Sequence, residues 1–143
     1  MPFPTSYLSF NGDCAEAMRF YEKTLKGHLK ALMTNGESPM REHTPKEAHH
    51  LILHAYLELP DNGILMAGDA WPGTTYEGMK GFMLALNYAT VEEATTIFNA
   101  LAEGGSINMP LQPAFWAKTW GAVTDQFGTP WIVNGEMLDY VPA

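Results

Sequence analysis

The stretch DCAEAMRFYEKTLKG (13–27) returns in outline as TVEEATTIFNALAEG (90–104). In the first copy Asp13 stands three residues before Glu16. In the second, Thr90 stands three before Glu93, and both are capping-box spacings that would satisfy free amides at a helix start. Ala17, Phe20, Tyr21 and Leu25 fall on one helical face, as do Ala94, Ile97, Phe98 and Leu101. Gly27 and Gly104 are placed to end the helices. Helix start, apolar face and helix stop all recur 77 residues apart. One capping box is common by chance, but agreement of all three signals points to a duplicated unit.

Working outward, each helix sits in the same company. TSYLSF (5–10) alternates as a strand and turns at NGD, and GFMLALNY (81–88) precedes the second helix as a buried strand. HLKALMTN (28–35), LILHAYLEL (51–59) and GILMAGD (63–69) follow the first helix. SINMPLQ (106–112), WAKTWGAVTD (116–125) and PWIVNGEM (130–137) follow the second, and all are short and β-compatible. Each half therefore reads βαβββ. The fold class is α+β, one domain over 1–143, with module one at about 4–69, a linker at about 70–80 and module two at about 81–137.

The connections fit this reading. PDNG (60–63) is a tight hairpin turn, with glycine where positive φ is wanted. Asp125-Gln126-Phe127-Gly128 fits a type I turn closed by a left-handed glycine, and Pro130 starts the last strand, where a missing amide does little harm. GESPMREHTPKEAHH (36–50) is polar and proline-punctuated, and reads as a mobile loop over one opening of the sheet. AWPGTTYEGMK (70–80) is short for a domain linker, which favours one pseudo-symmetric domain or exchange of halves between subunits.

Composition excludes several functions. Sixteen acids against eight Lys and Arg give a net charge of −8, with no basic cluster to offset it, so neither nucleic acid nor an anionic membrane is an expected partner. The single cysteine, Cys14, cannot form an internal disulfide. The N-terminus has no basic region followed by a long apolar run, and no segment approaches the roughly 20 apolar residues a membrane span needs. A cytoplasmic location is the expectation.

Paired βαβββ modules, with YLSFNGDCAEAMRFYEKTL at the front and FWAKTWGAVTDQFGTPWIVN at the back, resemble the vicinal oxygen chelate superfamily. That superfamily includes glyoxalase I, extradiol dioxygenases and bleomycin-binding proteins, and the likeness is greatest to its PhnB-like branch. The resemblance implies curved sheets forming a cup, and a homodimer, in some members with exchanged modules. It also implies four metal-ligand positions, on the first and last strand of each module. By motif register these fall on Ser6, Met66, Phe82 and Ile132, none a usual ligand for a hard or borderline divalent cation. A one-residue slip offers Tyr7, Ala67, Met83 and Val133, which is no better. No cofactor is therefore expected, with a displaced divalent metal as the alternative.

Other residues are candidates for the cup. His54, Tyr56 and Glu58 share one face of their strand, opposite a leucine-rich face, and could support acid–base work or weak metal binding. The plainer reading is a hydrogen-bonded polar surface, with His49 and His50 as solvated loop residues. Asp69 could contact a ligand or brace the turn before Trp71. Trp116, Lys118 and Trp120 share a strand face, suited to a planar or anionic ligand or simply to packing. Cys14 near a helix start could be an activated thiol or a packed one. The branch's occasional methyltransferase label lacks support, because NGD after the first strand is not a glycine-rich adenosylmethionine-binding turn. The expectation is a small-molecule-binding protein without the usual metal. The alternative is an enzyme of lyase, isomerase or dioxygenase type using acid–base residues or a displaced metal.

Overall fold

The computed structural model describes residues 2–139. The chain forms two compact units, divided between Gly78 and Met79. The first contains β1 (Ser6–Phe10), α1 (Cys14–Thr24), β2 (His28–Thr34), β3 (Ile52–Leu59) and β4 (Gly63–Asp69). The second contains β5 (Leu84–Tyr88), α2 (Val91–Ala102), β6 (Ser106–Gln112), β7 (Ala117–Thr124) and β8 (Pro130–Met137). Each unit is βαβββ, and the fold is α+β with two four-stranded mixed sheets. The strand orders are β1-β4-β3-β2 and β5-β8-β7-β6, with the outer pairs β1–β4 and β5–β8 parallel and the rest antiparallel. The duplication is thus topological as well as sequential.

Each sheet buries one face under its helix. Leu8, Phe10, Ala55, Leu57, Leu65 and Ala67 are buried with Ala17, Met18 and Tyr21 of α1. In the second unit Val123, Trp131 and Val133 are buried with Ala94, Phe98 and Leu101 of α2. Contact there is close enough to demand glycine. A Cβ on Gly135 would lie 2.7 Å from that of Ala94, and one on Gly121 would lie 2.7 Å from the Phe98 ring. The alternate residues of every strand occupy the other, helix-free face.

The two helix starts are built differently. At Thr90 the hydroxyl accepts from the Glu93 amide at 3.1 Å, as expected. Asp13 makes no side-chain cap, because its φ and ψ of −110° and 19° are not the extended conformation that aims a capping side chain. Its place is taken from across the sheet by Asp69 Oδ1, which accepts from the amides of Gly12 at 2.9 Å and Cys14 at 3.1 Å.

The stops differ too. Gly104 has φ +76°, but at the first helix Lys26, not Gly27, is left-handed, with φ 57°. Gly27 is needed for another reason, since a Cβ there would stand 2.6 Å from the Glu58 carbonyl oxygen. Likewise the β3–β4 turn puts positive φ on Asp61 and Asn62, while Gly63 has φ −70°. Asp and Asn tolerate that region better than other residues with side chains. The Asp125 turn is as expected, with the Gly128 amide donating to the Asp125 carbonyl at 3.0 Å and φ +91° at Gly128.

The 36–50 segment is more structured than its composition implies. It winds through single 3₁₀ turns at Asn35–Glu37, Arg41–His43 and Lys46–Ala48. Asn35 Nδ2 donates to the Ala48 carbonyl at 2.9 Å, and His49 Nε2 lies 3.1 and 3.0 Å from the carbonyls of Arg41 and Thr44. His49 is therefore a brace within this segment, whereas His50 is exposed. Among the described residues no helix is long and apolar enough to cross a membrane.

Candidate functional site

The helix-free face of the second unit carries an ordered row across its four strands: Gln112 opposite Trp120, Trp120 opposite Asn134, and Asn134 opposite Asn87. Asn134 is 7% exposed and is held from both sides. Its Nδ2 donates to Asn87 Oδ1 at 2.9 Å, and its Oδ1 accepts from the Trp116 indole Nε1 at 3.0 Å. Trp116 then lies against Trp120, with centroids 5.2 Å apart and planes at 51°, and Phe115 meets Trp116 edge-on at 4.9 Å. Trp116 and Trp120 are partly exposed. The result is an aromatic surface whose central ring is fixed by a buried amide. Lys118 Nζ sits 2.9 Å from Glu136 Oε1, so its charge is already paired.

The first unit is different in kind. Its comparable row runs Ala31, Tyr56, Met66, Tyr7. His54 and Glu58 share this helix-free face with Tyr56. Tyr7 stacks on His54 with centroids 5.9 Å apart, and Tyr7 Oη lies 3.4 Å from His54 Nδ1. Burial raises the Tyr7 hydroxyl's pKa, with a further contribution from Cys14, so it stays protonated at neutral pH. Glu58 is 3.9 Å from Lys30 at an exposed edge. A shallow depression of about 220 Å³ lies beside Tyr56, Glu58 and Ile64 at the β3–β4 turn.

Asp69 is committed to structure. Beyond the two amides at the start of α1, its Oδ2 accepts from the Ile52 amide at 2.7 Å. Cys14 is buried, and desolvation, with lesser contributions from Asp69 and Asp13, pushes its thiol up to about 12. It is no activated nucleophile. Asp125 also belongs to the scaffold. It accepts from the amides of Phe127 and Thr129 and from the Trp131 indole at 2.8 to 3.1 Å.

The four positions considered for metal ligands do not all reach the helix-free faces. Ser6 pairs with Leu65 and alternates with Leu8 and Phe10 on the helix side, and Phe82 precedes β5 altogether. Met66 and Ile132 do lie on helix-free faces, and their partners in the parallel pairs are Tyr7 and Ala85. Among the described residues no three of His, Cys, Asp and Glu gather as a metal-binding group.

The fold and these faces define a class. The model of the Glyoxalase/Bleomycin resistance protein/Dioxygenase superfamily matches residues 5–133, and the chain belongs to that superfamily. Among its relatives is protein YjdN of Escherichia coli K12, 37% identical over 136 residues, covering 90% of this chain and 91% of that one. The crystal structure of PA1353 from Pseudomonas aeruginosa is 44% identical with a TM-score of 0.86, covering 94% and 97% of the two chains. The PhnB protein from Bacillus cereus, provisionally described as a 3-demethylubiquinone-9 3-methyltransferase, shares the fold at 24% identity and a TM-score of 0.76, covering 93% and 98%.

The sequence pattern singles out Trp116, Lys118 and Trp120 but not Asn134 and Asn87. A buried Asn two residues after Ile132 on the last strand was the available signal, since a buried amide must find partners. Tyr7 as the neighbour of His54 was not legible, because the two lie on strands that never pair.

Proposed function

We propose that this chain is a small-molecule-binding protein of the glyoxalase/bleomycin resistance type that works without a metal at the family's usual positions. Its ligand on this reading is a small planar organic molecule laid against Trp116 and Trp120. The observation that carries it is the bond from Trp116 Nε1 to buried Asn134. The bond fixes the half-exposed Trp116 ring before a ligand arrives, which lowers the ordering cost of binding against it. The Lys118–Glu136 pair leaves little net charge beside the rings, which favours an uncharged ligand over an anion.

The metal half of the reading rests on donor chemistry. Met66 with Tyr7 and Ile132 with Ala85 offer a thioether, a protonated phenol and two aliphatic side chains, a set that does not fit a divalent ion of the family's kind. The methyltransferase description of the Bacillus protein is no part of this proposal, since the turn after β1 is Asn11-Gly12-Asp13. An enzyme of the same superfamily is the second reading, favoured by the Tyr7–His54 contact. A cytoplasmic homodimer, with or without exchanged modules, completes the proposal. The dimer is supported by the edge strand β6, where Ile107 and Met109 are exposed, and light scattering tests it.

The test of binding is a tryptophan-fluorescence titration with a panel of planar aromatic compounds, in wild type and Trp120→Ala. Quenching by at least one compound, weakened in the variant, is expected. No quenching by any compound, or quenching unchanged in Trp120→Ala, overturns the reading.

A further inference from the structure

The contact between Tyr7 and His54 fixes more than a distance. Tyr7 Oη lies 3.2 Å from the Leu53 carbonyl oxygen and 3.4 Å from His54 Nδ1. Leu53 belongs to neither neighbouring ladder. The β2–β3 register steps from Met33 opposite His54 to Thr34 opposite Ile52, and the β3–β4 register begins at Ala55. A carbonyl skipped at such an irregularity takes its hydrogen bond elsewhere. The Tyr7 hydroxyl has a single hydrogen, and the nearer acceptor is Leu53. Its oxygen is left to accept from His54, so the neutral imidazole carries its proton on Nδ1 and presents a bare lone pair on Nε2. Nε2 has no hydrogen-bond partner among the described residues. Gly68 makes room for this arrangement, since a Cβ there would stand 2.8 Å from the Leu53 oxygen and 3.0 Å from Tyr7 Oη.

We propose that His54 Nε2 is a proton acceptor for a phenolic ligand on the helix-free face of the first unit, with Tyr7 as the positioning residue. This goes beyond the binding surface at Trp116, which lies in the other unit. Met33 opposite His54, Met66 opposite Tyr7, and Tyr56 two residues along β3 supply the sulfur and aromatic surroundings that suit an aromatic ring. The other titratable or charged groups on this face are Tyr56 and Glu58 on β3, His28 opposite Glu58 on β2, and Lys30, which pairs with Glu58. The helix-free residues of β4, Ile64, Met66 and Gly68, do not titrate. In the transfer the phenol O–H bond breaks, its electron pair stays on oxygen, and the Nε2 lone pair takes the proton. The products are a phenolate beside an imidazolium.

The test is nitrogen-15 NMR of the full chain at about pH 8, where an ordinary imidazole is neutral and an unactivated phenol keeps its proton, with para-cresol as the probe. Wild type is expected to show His54 as the Nδ1–H tautomer, with Nε2 moving when the probe is added. In Tyr7→Phe the tautomer is expected to become mixed or Nε2–H, and probe affinity to fall roughly two- to tenfold. Gly68→Ala, which displaces the hydroxyl without removing it, should change the tautomer in the same direction. An Nε2–H tautomer in wild type overturns the proposal without any variant. An unchanged tautomer in both variants, or a probe that leaves Nε2 unmoved, overturns it as well.

Discussion

Trp116 donates its indole N–H to Asn134 across 3.0 Å, and Asn134 in turn donates to Asn87 across 2.9 Å. The three side chains form one chain of bonds with a buried amide at its centre. Replacing Asn134 by Ala removes an acceptor and a donor at once and leaves the partly buried indole N–H unpaired. The expected cost is about 1–3 kcal/mol in urea unfolding. Trp116 emission should become more mobile by anisotropy. An Asn134→Ala protein as stable as wild type, with unchanged anisotropy, would show that the anchor does nothing.

Asp69 predicts a larger loss. It ties the turn before α1 and the start of β3 to the end of β4 through three backbone amides. Asp69→Ala is expected to destabilise by about 2–4 kcal/mol, because three donors lose a charged acceptor together. Asp13→Ala, at the position that looks like the cap, is expected to change stability by less than about 0.5 kcal/mol. Equal effects of the two substitutions in urea unfolding would contradict this assignment.

That contrast shows what was legible in the sequence and what was not. The 77-residue repeat located both helices, because apolar periodicity and helix ends are local signals. The same repeat misassigned Asp13 and Gly27. The first cap comes from Asp69, 56 residues away, and Gly27 is required by the Glu58 carbonyl on a neighbouring strand. Register was the other gap. Ser6 and Tyr7 are equally plausible strand residues, and only pairing with β4 decides which of them faces Met66. Of the candidate residues, Trp116 and Trp120 do come together, whereas Asp69 is absorbed by the scaffold and His54 finds an unforeseen partner in Tyr7.

Lys26 offers a stabilising change. It is exposed and holds φ 57°, a conformation costing a non-glycine residue about 1 kcal/mol. Lys26→Gly removes that cost and is expected to raise stability by about 0.5–1 kcal/mol, read as a higher urea midpoint at unchanged slope. A lower midpoint would mean that the lysine side chain contributes more than its backbone strain.

Cys14 sets a pH dependence. Its folded pKa of about 12 exceeds the ordinary thiol value of 9.0, so between those values the folded state holds a proton that the unfolded state has lost. This contribution to stability is complete below about pH 9 and is lost as pH rises toward 12. A Cys14→Ser variant should show a shallower alkaline decline in unfolding free energy than wild type. Thiol reagents at neutral pH should label the native protein only at the rate of unfolding. Rapid labelling of native protein would contradict a buried, protonated thiol.

Binding without the family's metal can be read from a ligand-induced thermal shift of chelator-treated, tag-free protein. A planar compound that quenches Trp116 and Trp120 is expected to raise the melting temperature after chelation, and adding back zinc, nickel, iron or manganese is expected not to enlarge the shift. A shift that disappears on chelation and returns with one of these metals would contradict it.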